Sequence, residues 1–159
     1  MAHQLTQKER MLLEDQKKHE EICIQKYQTY AAQVQDPQLK QLLDTYAQQE
    51  QQHLDSINQM LSGQVPSMSP GQGGQQSQQA IPTMTAGTMP RGAANQQDAS
   101  LLSDLLMTEK YVSSTYNTAI FECTNSQMRQ ALNHIQKEEQ QHGEGIYNYM
   151  NAYGMYTPK

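Results

Sequence analysis

Apolar residues are scarce in this chain. They make up 36 % of its 159 residues, below the usual globular share, so a core has to come from well-placed stripes and not from bulk hydrophobicity. Charge is scarce as well. Asp, Glu, Lys and Arg together reach 17 %, too little for a charge-driven disordered chain. The net charge of −5 lacks the basic footprint of a nucleic-acid binder and argues against such a partner. No apolar run approaches the roughly 20 residues of a membrane-spanning helix. The first ten residues, Met1 to Arg10, are polar with no apolar stretch, which predicts synthesis without a secretory signal. Cys23 and Cys123 are too few and too far apart for a disulfide framework, and are expected as buried free thiols in a reducing compartment. Gln, with Asn and Ser, takes up the missing fraction. The length suits one domain, 1–159.

The chain repeats itself. His53 and His142 are 89 apart (142 − 53), and that offset, applied without gaps, aligns two long segments. Leu12-Leu13 falls on Leu101-Leu102, Glu20 on Glu109, Tyr27 on Tyr116, Leu43 on Leu132 and Ile57 on Ile146. Glu50-Gln51-Gln52-His53 falls on Glu139-Gln140-Gln141-His142. Two equivalent helix hairpins are therefore expected, at 6–62 and 100–152. Between them, 63–99 is rich in Gly, Pro, Ser and Gln, without periodicity, and reads as a crossover linker. Helix starts are legible. Thr6-x-x-Glu9 forms a capping box, Asp36-Pro37 pairs a cap with a first-turn proline, Asp98 or Ser100 opens a third helix, and Asn125 or Ser126 a fourth. Gly63 stops the second helix, and the tail from Tyr153 is expected to fray.

Apolar residues at three- and four-residue steps give one stripe per helix, and an acid stands near the middle of each. The first stripe runs Leu13, Glu20, Ile24, Tyr27, Ala31 and Val34, with Lys17 filling its gap. The second carries Glu50 and His53, the third Glu109, the fourth Glu139 and His142. An unpaired buried carboxylate costs several kcal/mol, and four would threaten a domain stable by only about 5–15 kcal/mol. Either the acids share protons or cations lie among them. Residues three apart on a helix sit about 60° apart around it, so one helix can offer a carboxylate and an imidazole to one ion. Glu, Glu-x-x-His, Glu, Glu-x-x-His is the ligand set of di-iron and di-manganese carboxylate bundles. The predicted fold is accordingly all-α: a ferritin-like antiparallel four-helix bundle with one long crossover and internally duplicated hairpins. The expected metal ligands are Glu20, Glu50, His53, Glu109, Glu139 and His142, for two divalent ions, with iron or manganese ahead of zinc. Glu50 and Glu139 would bridge, Glu20 with His53 and Glu109 with His142 completing the ends.

Other residues carry less. His3, His19 and His134 are expected at the surface. Glu21, Glu122, Glu138 and Glu144 are expected solvated, with contact to the site as the alternative for Glu122. Tyr27 and Tyr116 are either core packing or hydroxyls bonded to the ligand carboxylates. Gly143 and Gly145 signal a close approach, a π-bulge or a channel mouth.

The second half, from Leu101 through Met-Thr-Glu-Lys-Tyr, Tyr-Asn-Thr-Ala and Gln-x-x-His to Tyr149, resembles the CotF-type spore coat proteins, which carry the Coat F domain and belong to the ferritin-like clan. The resemblance implies a coat component made in the mother-cell cytoplasm, with other coat proteins as partners. It carries over no catalytic residues. Ferritin-like bundles also imply a homodimer. Two alternatives stay open: a di-iron or di-manganese redox enzyme that consumes peroxide or oxidises ferrous iron, and a metal-free adaptor. A non-enzymatic role is expected ahead of catalysis.

Overall fold

A computed structural model describes residues 2–67, 96–156 and 158. Among these the protein is all-helical: α1 Gln7–Ala31, α2 Pro37–Leu61, α3 Gln96–Glu122 and α4 Ser126–Ala152, with no strand. Most of the expected linker lies outside the described residues. Its last four positions do not belong to it, because α3 begins at Gln96, ahead of Ser100. Asp98 is therefore not a cap. It sits in the first turn of α3, where its charge faces the positive end of the helix dipole.

The remaining ends follow the local chemistry. Thr6 Oγ1 accepts from the Glu9 amide at 3.0 Å, and the Glu9 carboxylate accepts from the Thr6 amide at 2.7 Å. The same carboxylate accepts from the Thr124 amide at 2.6 Å, which ties the start of α1 to the α3–α4 turn. These bonds outweigh burial and hold Glu9 down at about 2. Asp36 caps α2 through the Gln38 amide (2.9 Å), and Asn125 caps α4 through the Gln127 and Met128 amides (2.9 and 3.0 Å). Past α2, Gly63 takes a left-handed φ of 82°, which only glycine adopts cheaply. Its carbonyl accepts from the His3 amide at 2.8 Å. The tail does not simply fray, since Gly154 turns it at φ 70° and the Met155 amide donates to Met150.

Five residues separate α1 from α2 (32–36) and three separate α3 from α4 (123–125), so each pair folds back on itself. The hairpins meet in antiparallel register too. Along α1 and α3 the partners run Lys8–Glu122, Tyr116–Glu20 and Tyr27–Glu109; along α2 and α4 they run His53–Glu139 and Gln49–His142. Packing of this kind is that of a four-helix bundle. α2 and α3 then point the same way, so the end of α2 and the start of α3 lie at opposite ends of the bundle, about 37 Å apart for a helix of 25 residues.

Two apolar clusters fill the interior. One gathers Leu13, Ile57, Met60, Val112, Met128 and Leu132, the other Leu39, Leu43, Leu102, Leu105, Ile146 and Met150. The stripe acids lie between them along every helix. The α1 stripe departs from expectation at one point: Gln16, buried and accepting from Thr115 Oγ1 at 3.1 Å, fills the gap given to Lys17. Cys23 and Cys123 are free and buried. No described helix is long and apolar enough to cross a membrane.

Candidate metal centre

All six residues singled out by spacing converge in the interior. Glu20, Glu50 and Glu139 are wholly buried, and Glu109, His53 and His142 are at most 2 % exposed. Each helix contributes from mid-length, where the stripe turns inward. Two ligand groups result, Glu20–Glu50–His53–Glu139 and Glu50–Glu109–Glu139–His142, with donor atoms within 4.8 Å of one another in each. Glu50 and Glu139 are common to both, the positions expected to bridge.

Both imidazoles are aimed the same way. His53 Nδ1 faces Glu139 at 2.9 Å, Glu50 at 3.1 Å and Glu20 at 3.7 Å. His142 Nδ1 faces Glu50 at 3.0 Å, Glu109 at 3.5 Å and Glu139 at 3.8 Å. Each Nδ1 thus points into the carboxylates and each Nε2 points away. A proton on Nε2 leaves the Nδ1 lone pair free as a ligand.

Two buried tyrosines complete the ring by crossing between hairpins. Tyr27 of α1 donates to Glu109 of α3, and Tyr116 of α3 donates to Glu20 of α1. Both tyrosines therefore take the two roles left open for them, filling the core and fixing a carboxylate. Burial first, then the carboxylate charges, push both phenols well above their usual range, so they act as donors.

Without a cation, protons compensate the charge. Burial and the charge of Glu20 drive Glu50 well above the carboxylate range, and burial with Glu109, Glu50 and Glu20 does the same to Glu139. Burial also pushes Glu20 upward, but bonds from Glu50, His53 and Tyr116 prevail and bring it to about 2. Glu109 is lowered in the same way through Glu139, His142 and Tyr27. Burial opposes the charged form of His53, yet the surrounding carboxylates raise it well above its usual value. The compensation is incomplete: Glu20 Oε2, Glu109 Oε2 and Glu139 Oε2 are buried with no hydrogen-bond partner. Buried orphan oxygens of this kind are rare in native proteins. Four carboxylates and two neutral imidazoles are a donor set that two divalent ions fit in charge and ligand type.

The residues off the stripes were placed less well by spacing. Glu138 is not solvated. It is buried, accepts from His134 Nε2 at 2.5 Å, and lies 3.7 Å from His53 Nε2. Spacing does not single out Gln49 and Tyr46 as neighbours of the site either. Gln49 Oε1 lies 2.5 Å from His142 Nε2, and the Tyr46 ring stacks on His142 at 4.3 Å between centroids. The available signal was position. Gln49 and Glu138 each directly precede a stripe glutamate and correspond under the 89-residue offset. Glu122 does not reach the site. It pairs with Lys8 at 2.8 Å on the surface. Glu21 and Glu144 are exposed. Gly145 answers to the close approach: a Cβ there would lie 1.8 Å from the Tyr46 hydroxyl, whereas at Gly143 it would meet ordinary contacts at 3.8 and 4.0 Å.

Residues 97–159 match the family model described as Coat F domain, which spans α3, α4 and the tail and so covers less than half of the chain. Neither the curated proteins nor the solved structures give a significant match.

Proposed function

We propose that this chain is a spore coat component of the Coat F type, made in the mother-cell cytoplasm, whose ferritin-like bundle holds a pair of divalent cations. The coat assignment rests on the match over 97–159, and other coat proteins and a second copy of the chain are its proposed partners. The cation pair rests on one observation: four carboxylates and two imidazoles meet in a dry interior, and three of the carboxylate oxygens have no partner. Removing that many ionisable groups from water is tolerable only if counter-charge arrives with them.

In this reading Glu50 and Glu139 are shared by both ions, Glu20 and His53 serve one, and Glu109 and His142 the other. Tyr27 and Tyr116 hold the terminal carboxylates in place. Bound, the pair supplies cross-linking of all four helices and, with iron or manganese, a redox couple. Iron or manganese is favoured over zinc by the carboxylate-rich set. A metal-free adaptor needs these acids exposed or protonated. None is exposed, and only Glu50 and Glu139 are driven toward the protonated form.

Elemental analysis of protein purified without chelators should find close to two transition-metal ions per chain. Retention of none, with a melting temperature indifferent to added cation, would remove the centre. Fractionated spores should carry the protein in the coat layer. Its confinement to vegetative cytosol would remove the coat assignment. Peroxide consumption by manganese- or iron-loaded protein decides whether catalysis accompanies the structural role.

A further inference from the structure

The duplication equips both ends of the centre with the same inner donors but different outer neighbours. Under the 89-residue offset Glu20 corresponds to Glu109, His53 to His142 and Tyr27 to Tyr116, so the chemistry is preserved. Gln49, however, corresponds to Glu138, and Thr45 to His134. The change falls on the outward nitrogen of each imidazole. His142 Nε2 meets the Gln49 side-chain oxygen at 2.5 Å, a neutral amide. His53 Nε2 is buried with no hydrogen bond, and the anion nearest it is Glu138, 3.7 Å away. That carboxylate is not adrift: His134 holds it at 2.5 Å from the solvent side, and its side chain is only 9 % exposed.

One imidazole is therefore backed by a neutral amide and the other by a carboxylate that it shares with His134. At 3.7 Å Glu138 lies beyond hydrogen-bond distance and acts on His53 through its charge, and outer partners of a ligating histidine typically matter by about 10–100-fold in metal affinity. The charge also adds negative potential to a position from which water is excluded, where screening is weak. Each inner set holds three carboxylates and one imidazole, two of the carboxylates being shared, so it provides no comparable difference.

We infer that the two cation positions are unequal, and that Glu138, as a positioning residue behind His53, makes the Glu20–Glu50–His53–Glu139 position the tighter one and the first to fill. This rests on the two-cation reading above and says in what order the centre loads.

The full chain, labelled with ¹⁵N-histidine and stripped of metal, is titrated with zinc(II), and the imidazole nitrogens are followed by NMR. Ligation at Nδ1 moves that resonance directly. The His53 signal should respond over the first equivalent and the His142 signal over the second, with competition against a chromophoric chelator giving affinities at least about tenfold apart. Glu138→Gln should bring the two within about threefold. Gln49→Glu should tighten the His142 position and narrow the gap from the other side. Unchanged circular dichroism shows that each variant is folded. His142 responding first, both responding together in the wild type, or a gap untouched by Glu138→Gln would overturn the inference while leaving two ions bound. Binding of no zinc at all would instead overturn the two-cation reading beneath it.

Discussion

Replacing Glu139 by glutamine separates the contribution of packing from that of bound cations. Glu139 is wholly buried and common to both ligand groups, so its loss would affect both of the proposed ions at once. The amide keeps the shape of a protonated carboxyl. Burial and three neighbouring carboxylates already push Glu139 toward that protonated form in the metal-free protein. Metal-free Glu139→Gln should therefore melt close to the metal-free wild type, within about 1 kcal/mol, since volume-conserving changes in a core are tolerated best. Cation is different. A ligand that binds only the folded state at a free concentration of about 100 times its Kd adds roughly 2.7 kcal/mol. In a domain of this size each kcal/mol moves Tm by roughly 2–4 °C, so one ion should raise it by about 5–11 °C and two by about twice that. Thermal unfolding followed by circular dichroism, with chelator and then with manganese(II), measures both terms. The wild type should show the shift and Glu139→Gln should lose most of it. If the variant keeps the whole shift, Glu139 is no ligand. If the variant melts many degrees lower in chelator and manganese moves neither protein, the carboxylate stabilises the bundle by other means, and the reasoning from buried charge fails.

The two glycines of α4, Gly143 and Gly145, should behave in opposite ways. Gly145→Ala should cost about 1–3 kcal/mol by driving a methyl into the Tyr46 hydroxyl, and adding Tyr46→Phe should recover much of the loss. Gly143→Ala, which meets only ordinary contacts, should stabilise the helix by up to about 1 kcal/mol; chemical denaturation reads both. The metal-free protein should lose stability as the pH is raised above neutrality. His53, Glu50 and Glu139 have folded-state pKa values above their ordinary ones, so their contribution is full below those ordinary values and disappears as pH rises through the raised ones. Glu20 runs the other way, but below pH 4.5, outside that window. Melting curves in chelator from pH 6 to 9 test this, and manganese should reverse the trend because the ligands must shed protons to bind. Glu9, held at about 2 against an ordinary 4.5, contributes fully above pH 4.5 and less as pH falls toward 2. Thr6→Ala should lower stability by about 1 kcal/mol at neutral pH, and Glu9→Gln should flatten the acid limb of the profile.

Much of the buried acid and histidine cluster was legible in the sequence, because helical periodicity converts spacing into direction. Glu20, Glu50, His53, Glu109, Glu139 and His142 occupy stripe positions, and a stripe faces inward whatever its residues are. The caps at Thr6, Asp36 and Asn125 were equally local, since a side chain reaching its own first turn needs no partner elsewhere. The α3 boundary was not legible in this way. The helix extends four residues ahead of Ser100, and Asp98 is buried in its first turn near Asp36 of the other hairpin.

What lay beyond periodicity was the contact between hairpins. Glu138 sits about 100° round from the stripe, an angle that predicts water, and only the approach of α2 buries it beside His53. Gln49 and Tyr46 reach His142 for the same reason, and the pairing of Tyr27 with Glu109 needs the antiparallel register of α1 and α3. The inward turn of Glu20, Glu50, His53, Glu109, Glu139 and His142 was determined by sequence alone, since it depends on the angle between residues of one helix. Which inward side chains meet, and what stands behind each histidine, was decided only by how one hairpin lies against the other.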